Sequence, residues 1–234
     1  NPFLQTSEVA NFLRSLPQAM QERGMEIRIL VPRFGLINER KNRLHEVVRL
    51  SGFTVPVGDD DKPVTIKVAS LPSAKLQVYF IDNEDYFQRK SVFVDKNNNF
   101  HQDNDERAIF FCKGVLETVK KLGWQPDIVH CNDWMTGLIP MYLKTTYKND
   151  PLFKNTKTVF TIYNNSFNHK FKGDLMGKVK MMINGLIKMF NKLSTIATKK
   201  EVVRLLINTP GNNWDMIKTK IVVTIIFNKR LFMV

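Results

Sequence analysis

The chain has 234 residues, 43% of them hydrophobic, and a formal net charge of +13. That apolar content suits one large or two small packed domains, and no run of 18 apolar residues points to a membrane span. Two cysteines, Cys112 and Cys131, are too few for a disulfide framework and suit burial in a reducing, cytoplasmic setting.

Residues 7–23 read as a helix. Val9, Phe12, Leu13, Leu16 and Met20 recur at helical spacing, Pro17 predicts a kink, and Gly24 supplies a stop. "MEIRILVP" follows as a strand with Ile27, Ile29 and Val31 alternating. Helix, turn and strand in that order are half of a parallel αβ unit. The strand that should precede the helix is expected to be missing. The opening "NPFLQTSEV" has neither a basic nor an apolar leader region, so it does not read as a signal peptide.

"RFGLINERKNRLHEVVRLSG" reads as mostly irregular and basic. "FTVPV", "VTIKVASL" and "LQVYFID" then form a strand-rich block broken by "GDDDKP" and "LPSAK", an antiparallel or mixed insertion on a parallel sheet. A second helix is predicted from Asp105 to Leu122. Its stripe is Ala108, Phe111, Cys112, Val115, Val119 and Leu122, with acids in the first turn and Lys120 and Lys121 in the last. Strand "DIVH", helix "DWMTGLIPMYLKTTY" and strand "TVFTIY" complete a β-α-β crossover. The fold class is therefore α/β, a doubly wound, Rossmann-like parallel sheet.

From Phe171 the composition shifts to Lys, Asn, Ile and Met. Residues 171–234 carry 12 Lys/Arg against 3 Asp/Glu, whereas the first 170 carry 23 against 19. The division expected is a domain over 1–170 and a divergent basic end of the same domain over 171–234. Within that end, "MGKVKMMINGLIKMF" reads as a helix and "KIVVTIIF" as a buried strand. The excess charge has no interleaved aromatics, so it supports nonspecific attraction to polyanions rather than a nucleic-acid site. His45, His101, His130 and His169 show no metal-ligand spacing with the cysteines, and no metal is expected.

Open α/β sheets bind ligands beyond the carboxyl ends of their strands. Two strand ends qualify here: His130–Trp134 and Tyr163–His169. Each residue also has a plain structural role open to it. Asp133 fits an N-cap, His130 a satisfied core histidine, Trp134 a packing residue, and "YNNSFNH" a polar turn.

Several blocks resemble one family. "PRFGLINERKNRLHEVVRLSG", "LQVYFIDNEDYFQRK", "DNDERAIFFCKGVLETVKKLGWQPDIVHCNDWMTGLIPMYLK" and "VFTIYN" look like the N-terminal half of a bacterial glycogen (starch) synthase, in a divergent Bacteroidetes-like form. The resemblance covers about residues 1–168. It implies a retaining glucosyltransferase of two-domain B-type architecture. Such an enzyme passes glucose from ADP-glucose or UDP-glucose to an α-1,4-glucan end, with no cofactor. It also implies a C-terminal nucleotide-binding domain that supplies a basic pair and a Glu.

Carried over by residue, the resemblance gives Asp133 hydrogen bonds to sugar hydroxyls and Trp134 a flat face for glucose, with His130 beside them in substrate binding. Met135 stands where the family has a second histidine. After the next strand the family's His-Asn pair falls on Tyr163 and Asn164; a tyrosine still hydrogen-bonds but does not become cationic. The Lys-x-Gly-Gly donor loop falls on Gln5, Ser7 and Glu8. That exchange removes a cation and adds a carboxylate near a diphosphate. Two function classes follow: the acceptor-side half of a glucosyltransferase, or a non-catalytic glucan-binding or regulatory module.

Overall fold

The computed structural model describes residues 3–4, 8–71, 76–162, 171, 174–179 and 220–224, and for 8–14, 176 and 220–224 the backbone alone. Helix α1 (Glu8–Glu22) contains Pro17 and leads through Gly24, at φ +82°, into β1 (Glu26–Pro32). Ile27, Ile29, Leu30 and Val31 of β1 are buried, as expected of a strand covered on both faces. The basic passage after it is more regular than its composition suggests. It holds a four-residue helix α2 (Glu39–Asn42), capped by Asn38, a short β2 (His45–Glu46) and a 3₁₀ turn (Val48–Leu50).

The insertion is a set of antiparallel ladders formed by β3 (Phe53–Val57), β4 (Asp60–Leu71) and β5 (Leu76–Asp82). The break in "GDDDKP" is confined to its first two residues. The chain reverses at Gly58–Asp59, with Gly58 at φ +61°, and β4 starts at Asp60. Pro63 is tolerated because β4 pairs with β3 alone at that level: Pro63 faces Thr54, and the β5 ladder begins only at Thr65. Strand β5 then pairs parallel with β1, Ile29 facing Val78. A mixed insertion on a parallel sheet is thus observed.

After a short helix α3 (Glu84–Phe87), helix α4 (Asn104–Lys121) lies within one residue of its predicted bounds. Asp105 and Glu106 open it, Lys120 and Lys121 close it, and Gly123 follows at φ +61°. More than a stripe is buried: Ile109, Phe110 and Leu116 are also 0–1% exposed. The reason is that α4 is covered on several sides, by the sheet, by β3 and by α5 (Leu138–Lys144). A Cβ on Gly114 would sit 2.8 Å from the Ile81 side chain, so glycine there permits close approach of α4 to β5.

Strand β6 (Ile128–Asn132) and β7 (Lys157–Thr161) pair in parallel, His130 facing Val159. The predicted helix between them is shorter and split. A 3₁₀ turn (Trp134–Thr136) passes through Gly137 into α5, and turns occupy most of 145–155. In the basic end, α6 (Leu175–Val179) covers the start of the predicted "MGKVKMMINGLIKMF" helix; the rest lies outside the described residues. Lys178 ties α6 to the body through ion pairs to Asp105 and Glu106 at 2.9 and 2.8 Å, and its carbonyl accepts from Gly58 N–H.

The predicted strand in "KIVVTIIF" forms as β8 (Lys220–Thr224). The sheet order is β2-β4-β5-β1-β8-β6-β7, with β3 on β4. Strand β8 is parallel to both neighbours: Ile29 and His130 face Val223 from either side. It fills the place beside β1 that parallel αβ connectivity gives to the strand ahead of a helix such as α1.

Candidate functional site

The carboxyl ends of β6, β7, β1 and β5 lie along one edge. At β6, Asp133 has φ +67° and ψ 172°, a region populated almost only by glycine. The conformation is held from three directions. Its N–H donates to Thr161 O at 2.9 Å, its carbonyl accepts from Thr136 N and Oγ1 at 3.2 and 2.8 Å, and its Oδ1 accepts from Trp134 N at 2.8 Å. The N-cap role is therefore real, and the side chain remains partly exposed.

Trp134 is half-buried in a group of aromatic rings. Phe93 lies 5.1 Å away nearly edge-on, Phe100 5.7 Å and Phe171 6.0 Å at tilted angles. These rings fix the plane of the indole. Met135 is 0% exposed and its carbonyl accepts from Cys112 Sγ at 3.1 Å, so the position that carries histidine in the resembled family faces the core here. Both cysteines are buried, and burial pushes the Cys112 thiol up to about 12.

His130 is 8% exposed, with Nε2 2.8 Å from Thr161 Oγ1 on β7. Burial lowers its pKa. On acidification the unfolded chain therefore takes up the proton first, and stability falls as pH drops from about 6.5 through the depressed native value. Denaturant midpoints measured from pH 7.5 to 5 will decline, and His130→Gln will flatten part of that slope. Burial also lowers His101, which accounts for a remaining share.

Tyr163, Asn164, Gln5 and Ser7 lie outside the described residues; Glu8 opens α1, by its backbone alone. Of the sequence-derived site, the structure brings together His130, Asp133 and Trp134.

Two polar clusters along this edge had no sequence signal beyond their charge. Arg33, 6% exposed, follows β1 and pairs with Glu39, Asp82 and Gln88. Lys67 bridges Glu39 and Asp82 at 2.7 and 3.0 Å. Burial is the largest influence on Asp82 and raises its pKa. Burial also acts upward on Glu39, but Lys67 and Arg33 outweigh it and leave that carboxyl below its ordinary value. The second cluster centres on Arg107, 0% exposed between the rings of Phe34 and Phe87 at 5.8 and 5.4 Å. Arg107 Nη1 donates to Val92 O at 2.7 Å and to Asn104 Oδ1, while Asn104 Nδ2 donates to Phe93 O at 2.9 Å. Arg107 thereby braces the loop whose Phe93 packs on Trp134.

Parallel strands under helices, with polar and aromatic groups at their carboxyl ends, define a Rossmann-like α/β domain of the kind that forms the N-terminal half of a two-domain B-type glycosyltransferase. A family model for the starch synthase catalytic domain matches residues 1–200, and the chain belongs to that family. It is 50% identical over 165 residues to a glycogen synthase of Chlorobium luteolum and 48% identical to one of Chlorobaculum tepidum. Each alignment covers 70% of this chain and 34% of the relative. The chain thus spans about a third of the length of the curated relatives it matches. Its fold matches the catalytic domain of starch synthase IV from Arabidopsis thaliana, solved bound to ADP and acarbose. That match has a TM-score of 0.60 at 21% identity and covers 70% of this chain and 32% of that one. Among the described residues, no helix is long and apolar enough to cross a membrane.

Proposed function

We propose that this chain is the acceptor-side half of a glycogen synthase, a cytoplasmic glucosyltransferase that extends α-1,4-glucan from ADP-glucose or UDP-glucose. The observation that supports it most directly is the strained Asp133 beside Trp134 at the end of β6. A carboxylate accepts hydrogen bonds from neighbouring sugar hydroxyls, and an indole face covers the apolar face of a pyranose. Tyr163 and Asn164, which follow β7 in sequence, complete the sugar contacts in this reading, with His130, bonded to Thr161 of β7, beside them in substrate binding.

Retention of anomeric configuration normally calls for a carboxylate nucleophile. Here Asp133 binds sugar instead, and transfer proceeds on the face from which the diphosphate leaves. That route relies on alignment of donor and acceptor and on cations at the diphosphate. Those cations and a nearby Glu belong to the nucleotide-binding domain, so the 234 residues by themselves bind glucan without transferring glucose.

A second reading is a non-catalytic glucan-binding module. Gln5, Ser7 and Glu8 favour it, since they stand where a cationic, glycine-rich donor loop is expected. Affinity electrophoresis through glycogen tests the shared acceptor role. The chain will be retarded and Asp133→Ala will not; equal mobility of the two would rule out the glucan site. Radiolabelled ADP-glucose will give no incorporation by the chain alone, and incorporation there would overturn the half-enzyme reading.

A further inference from the structure

The centre of the sheet is built from the far end of the chain. Strand β8 lies between β1 and β6 and is parallel to each, with Glu26–Leu30 facing Lys220–Thr224 on one side and Ile128–Cys131 facing Ile221–Thr224 on the other. In the described sheet β1 and β6 do not pair with each other; β8 alone joins the β2-β4-β5-β1 half to the β6-β7 half. A helix followed by a parallel strand predicts its preceding strand in the neighbouring position, and β8 stands there.

Two strand spacings, roughly 9.6 Å, separate β1 from β6. The slot therefore takes one extended strand and nothing thicker. Its walls are main-chain donors and acceptors from both sides, which select for backbone conformation. Both faces of a central parallel strand are covered, which favours a continuous apolar run; Ile221, Val222 and Val223 provide one between Lys220 and Thr224. In sequence, residues 180–219 lie between α6 and β8.

We propose that the slot between β1 and β6 is a strand-acceptor groove, filled in cis by residues 220–224 and able to take the same strand offered as a separate peptide. This does not depend on the glucan reading, because it concerns the sheet alone. Occupancy sets the spacing of the two half-sheets, and so the distance of Arg33 at the end of β1 from Asp133 at the end of β6.

Three measurements on the full chain test it. Hydrogen exchange will show amides 221–224 protected to the level of β1; exchange at the rate of unstructured chain would overturn the proposal without any variant. Val222→Pro removes a donor from a strand paired on both sides and will lower the melting midpoint by about 10 °C; an unchanged midpoint would overturn it. A peptide of residues 217–228 at millimolar concentration will raise the midpoint of Val222→Pro, while the same peptide carrying proline at 222 will not. Failure of the native peptide to do so would remove acceptance in trans.

Discussion

Asp133→Gly is expected to be more stable than Asp133→Ala by about 0.5–2 kcal/mol, the strain of about 1–3 kcal/mol less what glycine loses through the unfolded chain, the reverse of the usual order. Replacing glycine by alanine ordinarily stabilises by about 0.4–1 kcal/mol through the unfolded chain. At φ +67° and ψ 172° the Cβ of alanine keeps the strain, whereas glycine has none to relieve. Both variants lose the Oδ1 bond to Trp134 N, so that contribution cancels in the comparison. Both also lose the carboxylate from the site. Under the proposed function, loss of hydrogen bonds to a charged group is worth about 1.5–3 kcal/mol, or about 10- to 150-fold in glucan affinity. Urea midpoints and glycogen retardation measured on the pair separate strain from binding. Equal stabilities, or alanine ahead, would mean that the strain at this strand end is not stored in the native protein.

Arg107 makes the second large difference. Truncation to alanine empties a fully buried site between Phe34 and Phe87 and will cost about 3–5 kcal/mol. Arg107→Met refills most of that volume. It also removes Nε and Nη2, which have no hydrogen-bond partner among the described residues. What methionine leaves behind is Val92 O and Asn104 Oδ1 without their donor, a loss of about 1–3 kcal/mol. Methionine is therefore the milder variant. If denaturant unfolding ranks methionine equal to alanine, charge and hydrogen bonding rather than volume hold the loop beneath Trp134.

The sequence was most informative where one physical signal dominated. Helix α4 was legible to a residue because its apolar positions, acidic start, basic end and terminal glycine agree. The segment from Asp133 to Tyr147 was misread as one helix, because the short-range pattern does not show that Gly137 separates a 3₁₀ turn from α5. The turn at Gly58 was overestimated because charge in "GDDDKP" resembles a loop, while pairing with β3 keeps Asp60–Pro63 extended. At the site, Asp133 and Trp134 were identifiable from adjacency at a strand end. Arg33 and Arg107 were not, since Arg33 acts through partners 6–55 residues away and Arg107 through rings 20 and 73 residues away. The place of β8 was invisible for the same reason: an apolar run announces a strand and carries no information about which neighbours it will choose.

That placement bears on how the protein reaches its native state. Glu26 and Lys220 face each other across the middle of the sheet, although 193 residues lie between them in sequence. Pairings this distant raise the contact order and slow folding. During synthesis every other described strand of this sheet emerges before the one that joins them. Until it arrives, two interior strands present bare edges, the geometry most prone to misassociation between nascent chains.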